Sequence, residues 1–130
     1  MKLIDNINIT TQTLAYVNFL YAKERAGLER ATANAIFVTS MPTQIAAYNK
    51  FLSLITEQEA FVKLFKNFAN KDDIAFYDNA INDKSFNEVQ KMRDILIAKY
   101  TQGEYGVPAK TWFDTITQKI DVLKMCKIRL

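Results

Sequence analysis

Two arginines and a glutamine interrupt stripes of apolar residues, and their side chains are the ones best suited to bind a ligand. Arg25 lies at the edge of an apolar stripe on the first predicted helix, Arg93 interrupts a stripe on the third, and Gln58 interrupts one on the second. A guanidinium group is a planar fork of donors that suits a planar oxyanion and keeps its charge at physiological pH. Convergence of these side chains inside a helical bundle would form a site for a small anion.

Ordinary ion pairs are the alternative interpretation of the two arginines. Arg25 can extend to solvent or pair with Glu29 at the i,i+4 spacing, and Arg93 can pair with Glu88 or Asp94. The residues alone leave both interpretations open.

The composition excludes several kinds of chemistry. The chain has no histidine, and Cys126 is its one cysteine, so zinc sites of the Cys/His type, histidine-based triads and an internal disulfide are ruled out. Seventeen basic against 14 acidic residues leave a net charge of +3, without a basic tract for nucleic acid. We therefore expect no enzymatic activity, no cofactor, no metal and no nucleic-acid partner.

The elements that must position these residues are helices. A chain of 130 residues fits a single domain, 1–130, and three glycines with two prolines are too few for the turns of a β sandwich. The predicted helices run from Asp5 or Asn6 to about Val38, from Ser40–Pro42 to about Asn70, briefly over 74–81, from Ser85 to about Tyr100, and from Pro108 onward. The sequence predicts an all-α fold, an antiparallel four-helix bundle with a long first helix.

The first helix is apolar on two opposite faces. One stripe steps by three and four residues and is predicted to face the core: Leu14, Val17, Tyr21, Glu24, Leu28, Ala31, Ala35 and Val38. The opposite side carries Phe19, Ala22, Ala26, Ala33 and Phe37, and we predict that this second face forms a homodimer. The alternative is that the helix is central and packs both faces within one subunit.

Three segments of the sequence carry a family resemblance. They are the run Tyr21-Ala22-Lys23-Glu24-Arg25-Ala26-Gly27-Leu28-Glu29-Arg30-Ala31, ending in Ile36-Phe37, the segment Phe51–Leu54 with Gln58, and the pair Trp112-Phe113. In this order they resemble the signature helix, the second helix and the last helix of the nitrate- and nitrite-sensing domain family. The resemblance implies that Arg25 binds the anion. Glu24 and Arg30 stand in the same run, and the candidate ligand-binding residues are Arg25, Arg93, Gln58, Glu24 and Arg30.

The resemblance also implies a biological setting. Its members are extracytoplasmic or periplasmic sensor domains of bacterial transmembrane receptors, such as chemoreceptors, histidine kinases and cyclases. The longest aliphatic and aromatic run here is 35–38, which is too short to span a bilayer. Membrane attachment is therefore expected only through flanking transmembrane helices. Both chain ends are expected to be cut edges of a longer protein. The expected partners are nitrate or nitrite and a second subunit. The alternative is a dimerisation or protein-docking module without a small-molecule ligand.

Overall fold

A computed structural model describes the backbone of residues 3–126 and the side chains of residues 9–126. Within that range the chain forms five helices and no strand: α1 (Leu3–Thr39), α2 (Ile45–Phe68), α3 (Lys71–Ala80), α4 (Lys84–Lys99) and α5 (Ala109–Met125). The predicted all-α fold is confirmed, including the short helix between the second and third long ones. At about 1.5 Å per residue, α1 is about 55 Å long.

Several helix starts differ from the prediction. Helix α1 begins at Leu3, before Asp5 and Asn6, and α3 begins at Lys71 instead of residue 74, because Asn70 caps it by accepting from the backbone N of Asp73 at 2.8 Å. The second helix begins after Gln44, while Ser40 adopts a left-handed conformation with φ of 53°. The fourth helix is capped by Asp83, whose carboxylate accepts hydrogen bonds from the backbone N and the hydroxyl of Ser85 at 3.1 and 2.6 Å. These hydrogen bonds lower the pKa of Asp83, and Ser85 therefore lies in the first turn instead of capping it.

The burial of the two faces of α1 is the reverse of the prediction. The face expected to form the dimer is buried within the subunit: Phe19, Ala22, Ala26, Ala33 and Phe37. The stripe expected to face the core is largely exposed, with Tyr21 at 44% and Leu28 at 43%. Small residues let α1 pack closely against both α2 and α5, so the alanine face is the one that enters the core.

Two apolar clusters fill the interior. The larger contains Phe37, Phe51, Leu96, Trp112 and Ile116, and the smaller contains Phe19, Phe65, Tyr77 and Leu123. Along α2, Gln58 lies between Phe51 and Phe65. Helix α1 packs against α2 and α5, and α4 packs against α5, whereas α2 and α4 are packed less closely. The junction of the two clusters therefore has room for buried polar groups.

The loop before α5 is held against the α1–α2 connection. The backbone N of Glu104 donates to the carbonyl O of Ser40 at 2.8 Å, and the N of Thr43 donates to the O of Tyr100 at 2.7 Å. Gly103 has φ of 74°, and an added Cβ would lie 2.7 Å from the Ser40 oxygen. Only glycine fits this close approach.

Residues 1–2 and 127–130 lie outside the described range, so the interpretation of both ends as cut edges stays a prediction. No helix within residues 3–126 combines the length and the hydropathy needed to cross a bilayer.

Candidate functional site

An ion pair between α1 and α4 is the centre of the buried polar site. The Glu29 carboxylate is fully buried, and it accepts hydrogen bonds from Arg93 Nε at Oε2 and from Arg93 Nη2 at Oε1, each at 2.7 Å. Two parallel N–H donors on one carboxylate make a bidentate pair, the strongest class of protein hydrogen bond. Arg93 therefore pairs with neither Glu88 nor Asp94, the partners considered from sequence.

Glutamine side chains complete the coordination of this pair. Gln58 Nε2 donates to Glu29 Oε1 at 2.8 Å, and its Oε1 lies 3.5 Å from Arg93 Nη2. Gln90 Oε1 accepts from Arg93 Nη1 at 3.1 Å. The predicted convergence of Arg93 and Gln58 inside the domain is thus observed, with three helices contributing to one hydrogen-bonded cluster.

Lys119 on α5 brings a second cation to the same place. It is 8% exposed, and its Nζ lies 5.2 Å from the centre of the Phe86 ring. Among the residues that the structure describes, no carboxylate or other acceptor is within hydrogen-bond distance of that ammonium. Burial first, and the nearby Arg93 charge second, lower the pKa of Lys119 to about 8, while Glu29 acts in the opposite direction.

The charges of this cluster do not cancel. Arg93 and Lys119 carry two positive charges and Glu29 one negative charge, which leaves +1 on these three side chains. Within the described residues every fully buried side-chain N or O atom has a hydrogen-bond partner, so the unpartnered Lys119 Nζ borders the cavity, where a ligand can reach it. A cavity of about 490 Å³ opens beside the cluster. Arg93, Lys119 and Gln58 line it together with the charged side chains of Lys23, Lys63 and Glu59. A monovalent anion against Lys119 would neutralise the excess charge of Arg93, Lys119 and Glu29.

Arg25 lies elsewhere, at the boundary of α1 and α2. Its guanidinium pairs with Glu24 and lies 3.5 Å from a Glu57 carboxylate oxygen, and it covers the Phe61 ring at 5.3 Å. It does not pair with Glu29, and it does not line the cavity. Two carboxylates around one guanidinium leave this surface locally negative.

Arg30 lies at the other edge of the buried face of α1. Its Nη1 donates to the Thr117 hydroxyl at 3.0 Å, and the guanidinium lies 4.9 Å from the Phe113 ring. Of the five predicted site residues, the structure joins Arg93 to Gln58, leaves Arg25 with Glu24, and separates Arg30 from both pairs.

Glu29 and Lys119 were not among the predicted site residues. Each stands in a three-and-four series of buried residues: Glu29 follows Ala22 and Ala26 on α1, and Lys119 lies between Ile116 and Leu123 on α5. A charged residue in such a series was the available signal. On α1 it was missed because the other apolar face was assigned to the core.

A metal site has no support in the described part of the chain, where no three His, Cys, Asp or Glu residues form a group that could hold an ion.

A family model described as nitrate and nitrite sensing matches residues 2–130. Neither the characterised proteins nor the solved structures contain a significant match.

Proposed function

The chain belongs to the nitrate- and nitrite-sensing domain family, and we propose that it is the extracytoplasmic sensor domain of a bacterial transmembrane receptor that binds nitrate or nitrite. It has no enzymatic activity in this proposal. The long helices α1, α2, α4 and α5 form an antiparallel four-helix bundle around the site, with α3 as a short connecting helix. The receptor type is a chemoreceptor, a histidine kinase or a cyclase.

The observation that carries the proposal is the unpaired ammonium of Lys119 beside Arg93 in a cavity. Lys119 has free donors, its cluster has a net charge of +1, and the cavity gives an anion access to it. We therefore place the anion against Lys119, with the second N–H of Arg93 Nη1 as a further donor, because Gln58 Nε2 already donates to Glu29 Oε1 and to the Leu54 carbonyl O.

Arg25 is the residue that the family resemblance favours, and its surroundings are less suitable for an anion. Glu24 and Glu57 already compensate its charge, so nitrate would meet net negative charge there. A comparison of Arg25→Ala with Lys119→Met separates the two sites.

A limit on affinity follows from the size of the ligand. Nitrate has four heavy atoms, and at the best ligand efficiency of about 1.5 kcal/mol per atom its binding free energy reaches about 6 kcal/mol, a Kd of tens of micromolar. Nitrate at about 100-fold above Kd should stabilise the native state by about 2.7 kcal/mol and raise Tm by several degrees.

Thermal melting with nitrate, nitrite and chloride at matched ionic strength tests the proposal. We expect nitrate or nitrite to raise the Tm of the parent protein, and Lys119→Met to abolish the shift. The exposed Lys124 on the same helix gives the matched control, Lys124→Met, which should respond like the parent. Equal shifts with nitrate and chloride would reject anion sensing and leave a dimerisation or docking module. Loss of the shift in Arg25→Ala alone would move the site to Arg25.

We also propose a homodimer, formed by the exposed stripe of α1. Leu14, Tyr21, Leu28 and Ala35 recur every seven residues, and Val17, Glu24, Ala31 and Val38 form the second such series. Two interleaved seven-residue series are the pattern by which helices pair in coiled coils, which favours a second copy of the same helix as the occupant. Glu24 belongs to the second series and Arg25 stands beside it, so oppositely charged groups can meet across a symmetric interface.

Sedimentation of seam variants tests the interface. Leu28→Glu should weaken the dimer and leave the helical content unchanged, because Leu28 is 43% exposed in the subunit. Ala26→Glu should instead unfold the domain, since Ala26 is fully buried. A parent protein that remains monomeric at millimolar concentration with nitrate present would contradict the dimer.

Signal transfer then requires that the anion favour one helix arrangement over another. Lys119 of α5, Gln58 of α2 and Arg93 of α4 all line the proposed site. In this structure α2 and α4 pack less closely against each other than the other neighbouring helices do. Binding would hold these helices together and alter their position relative to α1.

A further inference from the structure

The cavity beside Lys119 is much larger than nitrate requires. Its volume of about 490 Å³ lies within the range of pockets that hold drug-sized molecules. A four-atom anion against Lys119 would occupy only one end of it.

Apolar side chains from four helices form most of the remaining wall. Phe19 and Ala22 come from α1, Val62 from α2, Phe86 from α4 and Leu123 from α5. Three of them are buried, and Val62 and Phe86 are partly buried. An ordered nitrate would leave this apolar surface in contact with water, whereas an apolar group would cover it.

Charged side chains share the cavity wall with these apolar ones. Besides Arg93 and Lys119, the wall includes Lys23, Lys63 and Glu59, so its cations outnumber its carboxylates. The Lys119 ammonium lies 5.2 Å from the centre of the Phe86 ring. A charged group and an apolar group of the cavity wall are therefore direct neighbours. The Tyr77 side chain also lines the cavity, and burial raises the pKa of Tyr77 to about 12, which keeps its hydroxyl uncharged. A fitting ligand has one anionic end and one apolar body.

We propose that this cavity binds monocarboxylates with an aromatic or aliphatic body of about ten heavy atoms, with the carboxylate on Lys119 and the body between Phe19, Val62 and Leu123. The inference rests on the proposed function only in using Lys119 as the anchor for the negative charge. It makes the domain a receptor for small organic acids in addition to inorganic anions.

Calorimetry with phenylacetate as the probe tests the inference, with acetate and phenylacetamide as controls. Phenylacetate should bind at least about tenfold more tightly than acetate, because its ring covers apolar wall. Phenylacetamide has the same shape without the charge and should bind at least about tenfold more weakly than phenylacetate. In the series acetate, butyrate and hexanoate, affinity should increase with each added CH₂ group.

Two variants locate the ligand. Lys119→Met should abolish phenylacetate binding, and Lys124→Met should leave it unchanged. Val62→Trp fills the apolar part of the cavity and should weaken phenylacetate more than nitrate. If this variant does not fold, the alkanoate series on the parent protein still decides the point.

The outcomes separate this inference from the proposed function. Phenylacetate binding without a nitrate response supports the organic-acid site and rejects nitrate sensing. A nitrate response with phenylacetate no tighter than acetate overturns the inference and leaves nitrate sensing intact. Equal binding of phenylacetamide and phenylacetate also overturns it, because the charge on Lys119 would then play no part.

Discussion

Replacing Lys119 by methionine should stabilise the domain, although the residue is buried in its centre. The side chain carries a charge into the interior at 8% exposure and finds no acceptor among the described residues there. Methionine has a similar length, and its thioether suits the apolar surroundings of Phe86 and Leu123. The substitution therefore removes an unfavourable charge and leaves the shape of the core largely unchanged.

The pKa of Lys119 gives the magnitude. Its value of about 8, against 10.5 in an exposed lysine, corresponds to about 3 kcal/mol by which burial disfavours the charged form. Loss of the contact with the Phe86 ring offsets about 1 kcal/mol of this. The net expectation is that Lys119→Met raises the free energy of unfolding by about 2 kcal/mol at pH 7.

The pH dependence identifies the cause. Between pH 8 and 10.5 the unfolded parent binds more protons at this lysine than the folded parent, so the parent gains stability as the pH rises through that window. The variant has no such group, and its advantage over the parent should therefore shrink from pH 8 to pH 10.5. Arg93, Glu29, Lys23, Lys63 and Glu59 also line or face the cavity, and they are unchanged in both proteins.

Urea unfolding of parent and Lys119→Met at pH 7 and pH 10 measures this difference. Lys124→Met, on the exposed face of α5, should match the parent to within about 0.5 kcal/mol at both pH values. A Lys119→Met variant that is less stable than the parent at pH 7 would refute the reasoning. So would a stability difference that does not change with pH.

Three further predictions concern the Glu29 carboxylate, the pH dependence of nitrate binding and the loop at Gly103. Glu29→Gln should destabilise the domain by about 3 to 5 kcal/mol, because it removes the carboxylate beside Arg93 and Lys119. The control Glu24→Gln, at the exposed surface, should cost at most about 1 kcal/mol. Urea unfolding of both variants measures the difference, and equal effects would contradict the central role of Glu29. Nitrate affinity measured by calorimetry should be nearly constant from pH 6 to 7. It should fall as the pH rises above 8, since Lys119 then loses its proton. A constant affinity up to pH 10 would exclude Lys119 from the site. Gly103→Ala should lower Tm by several degrees, because the new Cβ would lie 2.7 Å from the Ser40 oxygen, and an unchanged Tm in a melting experiment would show that this loop can move.

Local signals in the sequence determined the helices. Pro108 and the polar segment before α4 indicated where helices begin, and the scarcity of glycine and proline argued against a β sandwich. The polar residues 71–73 were less informative, because they form the first turn of α3 instead of the connection before it. Helical spacing also singled out Arg93 and Gln58, because a charged or amide side chain on an apolar stripe must find a partner. Helix caps and helical spacing both involve residues within a few positions of each other along the chain. They can therefore be predicted from the sequence without knowing how the helices pack.

Tertiary packing decided the rest. Helical periodicity identified two apolar faces on α1, but it does not say which face meets other helices, and close packing against α2 and α5 selected the alanine face. Glu29 became the partner of Arg93 from 64 positions away along the chain, and Lys119 joined them from a third helix. Which charges are neighbours, and whether they cancel, depends on how the helices pack side by side, which no spacing within a single helix encodes.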